Sequence, residues 1–323
     1  MIESFLQESG IPGAVIAFGL PGTEPELRAY GMADPISGVP MRPDDRFKIA
    51  SLSKPITSEA ILELIARRGL SVDTPVADLL PWARQARDSR VAAITLRDLL
   101  EHSGGWDPAE TFAPFFVPRR DLVARLGVDP DHLSDCAPIA QAMLQLPLQY
   151  DPGQRYAYSN LDYCLLGLVV SRLYGGSYED AVHALLPETA GMSLDPSTLT
   201  VRHTVRPEEE GFLAERPEIV AAAAGWISGA RDYFRFASRA VAPLSYERPP
   251  YASGPEFYGL GWMVWELGDE TVLTHFGAMP GVFSVVVKRP GGPIFVALFN
   301  GRPPNAEGAY RTLVEGVLTL GPG

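Results

Sequence analysis

The chain has only two cysteines, Cys136 and Cys164, in 323 residues. Two thiols build no disulfide framework, and their spacing is not the CxxC of a zinc or redox motif. Cys164 sits in an apolar helical stretch and reads as a packing residue. No apolar run reaches the length that spans a bilayer, so no membrane partner is expected. The first positive side chain is Arg28, and Glu3 and Glu8 precede it. That order is wrong for a secretory leader and predicts a cytoplasmic protein. The net charge of −12 argues against gripping a phosphate backbone, so no nucleic acid is expected either. There is no GxSxG elbow, no HExxH helix, no GxxxxGK loop and no GxGxxG after a strand. The five histidines have no metal-ligand spacing. Neither a metal nor an organic cofactor is called for.

Lysine is nearly missing: Lys48, Lys54 and Lys288 stand against 24 arginines. A guanidinium keeps its proton in a protein, whereas a buried amine can lose one. A lysine spared by such a bias is a pointer to chemistry, although chance survival explains it too.

What is present is a chain with 46% hydrophobic and 20% charged residues, enough to fold and bury a large core. Stretches 11–20 and 26–32 read as strands around the Pro21-Gly22 turn. Residues 47–50 look extended, and a helix starts near Ser51 and stops at Gly69. From 76 to 186 the pattern is mostly helical, including 94–102, 137–146, 160–174 and 178–186. Residues 217–241 read as one helix, broken at Gly229. Four strands follow, over 259–265, 271–275, 282–288 and 293–299, and then a helix over 306–318. The expected fold is therefore α/β: an antiparallel sheet flanked by helices, built from both termini, with a mainly helical domain inserted. The expected boundaries are 1–55 plus 190–323 for the α/β part and 56–189 for the helical part. The cleft between them is where a ligand site is expected.

Three short motifs carry chemistry. Ser51-Leu52-Ser53-Lys54 places a hydroxyl and an amine three residues apart on one helix face. A desolvated lysine can take the proton that makes a serine nucleophilic, and a helix start favours the negative charge that develops. Tyr158-Ser159-Asn160 precedes an apolar helix. A phenol beside an ammonium can have its pKa lowered and act as a base, and an amide can orient a lysine. His275-Phe276-Gly277 falls at an expected strand end, where Gly277 lets backbone pass close to a substrate. The N–H groups of Ser51 and Ala278 then make an oxyanion hole. His102-Ser103-Gly104 matches the third pattern as well, but its place in the chain makes His102 structural. Alone, these triplets are expected by chance about 0.2, 0.1 and 0.5 times; in this order, together, about 0.01 times.

On these residues the chain resembles the penicillin-binding-protein and class C β-lactamase-like serine hydrolases, which carry SxxK, then YxN, then KTG or HxG. Further segments match at their places: Phe47-Lys48-Ile49-Ala50 before the serine, Leu99-Leu100-Glu101-His102-Ser103-Gly104-Gly105, and Gly259-Leu260-Gly261-Trp262. The resemblance implies that Ser51 is the nucleophile, Lys54 its base, Tyr158 a proton shuttle and Asn160 the positioning amide. It puts His275 where the family has Lys or His.

Two departures bear on the substrate. Phe276 stands where β-lactamases and many related peptidases have a hydroxyl residue that helps hold a carboxylate. With a neutral His275 beside it, a carboxylate goes unpaired. Small esters or amides with an apolar acyl group are therefore expected ahead of lactams or D-Ala-D-Ala peptides. The stretch 106–134 reads as an insertion, whose Trp106, Phe112, Phe115 and Phe116 either line the cleft or form a satellite cluster. A β-lactamase or peptidase, an acyltransferase and a catalytically silent binding protein are the alternatives.

Overall fold

The computed structural model describes residues 2–109, 124–129, 131–207 and 217–319. The strands are β1 (Gly13–Gly19), β2 (Glu26–Asp34), β3 (Val39–Pro40), β4 (Arg46–Lys48), β5 (Ile227–Gly229), β6 (Glu256–Tyr258), β7 (Met263–Leu267), β8 (Glu270–Met279), β9 (Val282–Lys288) and β10 (Ile294–Phe299). The α-helices are α1 (Ile2–Ser9), α2 (Ser53–Arg68), α3 (Val76–Leu79), α4 (Leu96–Leu100), α5 (Ala137–Met143), α6 (Asn160–Tyr174), α7 (Tyr178–Leu185), α8 (Pro217–Val220), α9 (Ala230–Ala237) and α10 (Ala306–Thr319).

Eight strands form one sheet in the order β3-β2-β1-β10-β9-β8-β7-β6, and every pairing in it is antiparallel. Both ends of the chain meet at its centre, where β1 pairs with β10 from Ala14↔Phe299 to Gly19↔Ile294. β9 and β10 are buried along their whole length. Successive strand side chains point to opposite faces, and the core divides accordingly. Val15, Ala17, Val286, Val296 and Leu298 pack towards α2 and α9. Ala14, Ile16, Val285, Val287, Ala297 and Phe299 pack towards α1 and α10. The alternation in the sequence thus builds a three-layer α/β fold, as expected, with a mainly helical stretch between the two sheet-forming ends.

Three local expectations are corrected. Residues 227–229 are not helical. The backbone there forms β5, paired with β4 through Arg46↔Gly229, Phe47↔Ser228 and Lys48↔Ile227. A wide π-type turn over Ala221–Gly225 precedes it. The alanine-rich run favours a helix locally, but the bonds from the Ile49 N–H to the Trp226 carbonyl and from the Trp226 N–H to Ser53 Oγ override that preference. β8 continues past His275 to Met279, so the His-Phe-Gly motif lies inside a strand. Finally, Cys164 is buried as expected but is bonded to Cys136, because the start of α5 packs on α6.

Candidate active site

β4 delivers the chain to a single 3-10 turn, Ala50–Leu52, from which α2 departs. Ala50 has φ 47°, a left-handed conformation that a residue with a side chain seldom takes. The turn is held from several sides. Ser53 Oγ donates to the Ala50 carbonyl at 2.7 Å, Tyr233 OH to the Leu52 carbonyl at 2.9 Å, and Ser284 Oγ to the Ile49 carbonyl at 2.7 Å. Pro55 falls in the first turn of α2, where an N–H is not needed.

Three residues along the chain from Ser51, Lys54 is fully buried. Its Nζ lies 3.2 Å from Ser51 Oγ, 2.7 Å from Asn160 Oδ1 and 2.9 Å from the Ala223 carbonyl. Burial holds the amine well below the ordinary lysine range; Asp162 acts in the opposite sense only in so far as it is ionised. A carbonyl oxygen only accepts, so Asn160 and Ala223 take two of its N–H groups. The third position donates to Ser51 Oγ in the ammonium and becomes a lone pair facing the Ser51 hydroxyl once the proton is lost. The Tyr158 and Tyr163 rings flank the amine at 4.6 and 5.4 Å.

Tyr158 OH donates to Ser51 Oγ at 2.8 Å. Burial pushes this phenol up, with the Ser51 bond opposing. The lowered phenol pKa expected from the sequence is therefore corrected: loss of hydration in the buried site outweighs what lowers it. Tyr158 rests protonated, as a donor.

The structure brings Ser51, Lys54, Tyr158 and Asn160 together, with Gly277 against them. A Cβ on Gly277 would lie 2.4 Å from the Ile49 carbonyl, 2.4 Å from Ser284 Oγ and 2.9 Å from the Ser51 nitrogen. Only a residue without a side chain lets β8 pass Ser51 so closely. Ala278 follows on the same strand, and β7 pairs with β8 only as far as Thr274. The edge of β8 from 275 onward is thus left for the turn that carries Ser51.

His275 and Phe276 are placed differently from the other four. His275 is buried and shares a proton with Tyr258 OH at 3.0 Å through Nε2, while Nδ1 lies 2.9 Å from the Phe276 carbonyl. Since that carbonyl can only accept, Nδ1 carries the hydrogen and Nε2 accepts from Tyr258. Burial, and then Lys54, push its pKa down to about 3, so the ring is neutral. Phe276 points to the other face of the sheet and stacks on Tyr310 of α10, with ring centroids 4.6 Å apart. Trp106 is buried in the main core; Phe112, Phe115 and Phe116 lie outside the described residues.

Sequence reasoning missed the clamp on Tyr158. His102 is fully buried with φ 57°. Its Nδ1 accepts the Ser159 N–H at 3.1 Å and its carbonyl accepts the Ala157 N–H at 2.8 Å. Its ring lies 4.4 Å from that of Tyr158. Both backbone neighbours of the phenol are thus tied to one residue, and the HxG spacing at 102–104 was the only signal for it. Asp162 Oδ2 lies 3.6 Å from His102 Nδ1. Burial pushes the Asp162 carboxyl up and the His102 imidazole down, so this is no ion pair. The Ala223 carbonyl, a backbone acceptor, left no signal at all. Among the described residues, no group of three or more His, Cys, Asp or Glu could hold a metal ion.

A serine in a tight turn, a buried lysine one helical turn on and a phenol from the segment leading into α6, all set against an antiparallel sheet, define the SxxK class of active-site architecture. The family model described as Beta-lactamase matches residues 1–318, and the chain belongs to that family. The probable fimbrial assembly protein FimD, serogroup H1, of Dichelobacter nodosus is 36% identical over 140 residues, 43% of this chain and 32% of that protein. Esterase EstB of Burkholderia gladioli is 32% identical over 200 residues, 59% of this chain and 48% of that protein. The chain thus spans a third to a half of the length of these curated relatives. Among solved structures, a β-lactamase/D-alanine carboxypeptidase from Pseudomonas syringae superimposes with a TM-score of 0.77 at 20% identity, covering 99% of this chain and 97% of that one.

Proposed function

We propose that the protein is a serine hydrolase that forms an acyl-enzyme on Ser51 with small esters or amides. The observation that carries this is the hydrogen-bonded triangle of Ser51 Oγ, Lys54 Nζ and Tyr158 OH around an amine whose pKa burial lowers. The Ser51 proton passes to the Lys54 lone pair as Oγ attacks the carbonyl carbon. The oxyanion sits between the N–H groups of Ser51 and Ala278. Tyr158 gives its proton to the leaving group and regains one from Lys54. Water then attacks the acyl-enzyme, and Lys54 takes its proton and passes it to Ser51 Oγ as the acyl C–Oγ bond breaks and the acid leaves. Asn160 and the Ala223 carbonyl keep the amine aimed throughout. His275 touches neither Ser51 nor Tyr158 among its described hydrogen bonds, so it acts at most through Tyr258.

Ester or amide substrates with an uncharged acyl group suit this site best. A neutral His275 turned towards Tyr258 offers a carboxylate no cation, and Lys54 is committed as a base. The likeness to Esterase EstB supports the same choice. A lactam or D-Ala-type peptide is the second reading, favoured by the name of the Pseudomonas syringae neighbour. Nitrocefin and p-nitrophenyl butyrate decide between them. Fast ester cleavage with nitrocefin left intact is expected, and the reverse refutes the choice. Turnover surviving in Ser51→Ala would remove Ser51 from its role. A stable acyl adduct on Ser51 that never clears would make the protein a binder.

The division into 1–55 plus 190–323 and 56–189 belongs to the same proposal, with the catalytic groups at the seam. No helix among the described residues is long and apolar enough to cross a membrane. The cytoplasmic reading stands against the Cys136–Cys164 bond, because disulfides persist mainly in oxidising compartments. Alkylation of the two thiols in intact cells separates these readings.

A further inference from the structure

Lys54 and Thr57 lie three residues apart on one face of α2. They take two successive carbonyls of the wide turn over Ala221–Gly225. Lys54 Nζ donates to the Ala223 carbonyl at 2.9 Å, and Thr57 Oγ1 to the Ala222 carbonyl at 2.6 Å. The Ser53 carbonyl is also within reach of Thr57 Oγ1, at 3.2 Å, but the single hydroxyl hydrogen goes to the nearer acceptor. Tyr178 OH of α7 stands 2.7 Å from the same Oγ1. With the threonine hydrogen spent, Tyr178 is the donor of that pair. Trp226 Nε1, which can only donate, gives its hydrogen to Tyr178 OH at 3.2 Å.

These side chains form a row of hydrogen bonds with one direction, from Trp226 to Tyr178 to Thr57 to the Ala222 carbonyl. All three are buried, and a buried polar group that loses its partner is costly. The row ends one peptide short of the carbonyl that holds the Lys54 amine. The turn is confined on its other sides as well. A Cβ on Gly167 of α6 would lie 2.5 Å from the Ala222 Cβ, and the Trp226 N–H donates to Ser53 Oγ at 3.2 Å. A single turn of π type is rare in proteins. Here its carbonyls at 222 and 223 both serve side chains of α2.

We propose that Thr57 and Tyr178 are positioning residues of the reaction: through the Ala222 carbonyl they fix the turn whose next carbonyl aims the Lys54 amine at Ser51. The proposal rests on the hydrolase reading of Ser51. Losing the grip has two effects of definite sign. The amine loses its aim, which slows proton transfer without changing what the site binds. The ammonium also loses an acceptor, and a hydrogen bond to the charged form favours that form, so the base form persists to lower pH.

The test measures kcat, KM and the pH profile of kcat/KM on p-nitrophenyl butyrate for the whole chain, Thr57→Val and Thr57→Ser. Thr57→Val keeps the branched shape and drops the hydroxyl. Its kcat is expected to fall about ten- to a hundredfold, with KM within about threefold of the parent. The acid limb of the profile, where Lys54 takes up its proton, is expected to move to lower pH. Thr57→Ser keeps the hydroxyl and is expected to recover most of the lost kcat. The titratable groups that face the amine, Tyr158, Tyr163, Asp162, His102 and His275, are the same in every variant. A displaced limb therefore reports the hydrogen bonding of Lys54. Where Thr57→Val does not fold, Tyr178→Phe breaks the row one link earlier and should move kcat and the limb in the same directions by less. In a folded variant, a kcat within threefold of the parent or a limb that stays in place overturns the proposal and leaves both residues as packing. Fluorophosphonate labelling keeps the two claims apart. A parent labelled on Ser51 with an unmoved variant profile refutes the positioning role alone, whereas a parent that is not labelled there refutes the hydrolase reading beneath it.

Discussion

Gly277→Ala adds one methyl group at the tightest point of the molecule. Its carbon would fall 2.4 Å from the Ile49 carbonyl and from Ser284 Oγ, and 2.9 Å from the Ser51 nitrogen. Ordinary contact begins at 3.4 Å, so the backbone must part by about 1 Å. The serine hydroxyl can swing, but the Ile49 carbonyl cannot, because it lies one residue before a turn fixed by Ser53, Tyr233 and Ser284. Overpacking of this kind costs about 1–3 kcal/mol. In a chain of this size that lowers Tm by roughly 2–5 °C. The effect on catalysis should be far larger. A 1 Å displacement moves Ser51 away from Lys54 and the Ala278 N–H together, and such a misplacement costs about a hundredfold in rate. The measurements are a thermal melt, kcat/KM on p-nitrophenyl butyrate and the rate of fluorophosphonate labelling. Gly268→Ala is the comparison: unlike Gly277 it has a positive φ, 66°, but nothing lies within 4 Å, so it carries backbone strain without the clash. A Gly277→Ala protein with activity within threefold of the parent would refute the claim that β8 fixes the nucleophile through this contact.

Lys54→Arg should lose at least a thousandfold in kcat/KM, because a guanidinium cannot accept the serine proton; retained activity would reduce Lys54 to a positive charge. The pKa of Lys54 is depressed, so its base form is present above that pKa and is lost as pH falls through it. kcat/KM should accordingly drop tenfold per pH unit on the acid side, and the limb should stay in place in His275→Asn, since that imidazole titrates near 3; a limb that vanishes would move the role to the histidine. His102→Ala removes the acceptor of the Ser159 N–H and a ring packed on Tyr158. It should cost about 2–4 kcal/mol in stability and lower kcat more than it raises KM, and a change in KM alone would refute the clamp. Reducing Cys136–Cys164 opens a loop of 28 residues and should lower stability by about 3–4 kcal/mol in the chain-entropy picture; an unchanged melt on reduction would show that the loop is already ordered by packing.

Side chains that share a helical face were legible from spacing. Ser51 and Lys54 lie three apart, so their meeting follows from helix geometry. Asn160 was placed at the start of its helix because an apolar run follows it directly. The antiparallel strands near the C-terminus were readable from alternation and turns; the ends of three moved, β9 fell as expected, and the short edge strand β6 was not foreseen. Contacts set by tertiary pairing were not readable. The stretch 221–229 looks helical by composition, yet β4 draws part of it into a strand and leaves the Ala223 carbonyl pointing at Lys54. His275 was found by its triplet, but its partner Tyr258 comes from another strand with no motif of its own. Phe276 shows the limit of motif reasoning most clearly. Its position suggested a substrate contact, while strand alternation alone sends it to the face opposite His275. The disulfide needed the packing of α5 on α6, which two isolated cysteines do not announce.

The buried amine has a consequence for how the molecule comes into being. In the unfolded chain Lys54 is an ordinary ammonium, and burial loosens its hold on that proton. Folding is thereby linked to proton release from this side chain, and the native state gains stability relative to the unfolded chain as pH rises. Closing around Asn160 and the Ala223 carbonyl is thus the same event that shifts the amine towards its proton-accepting form.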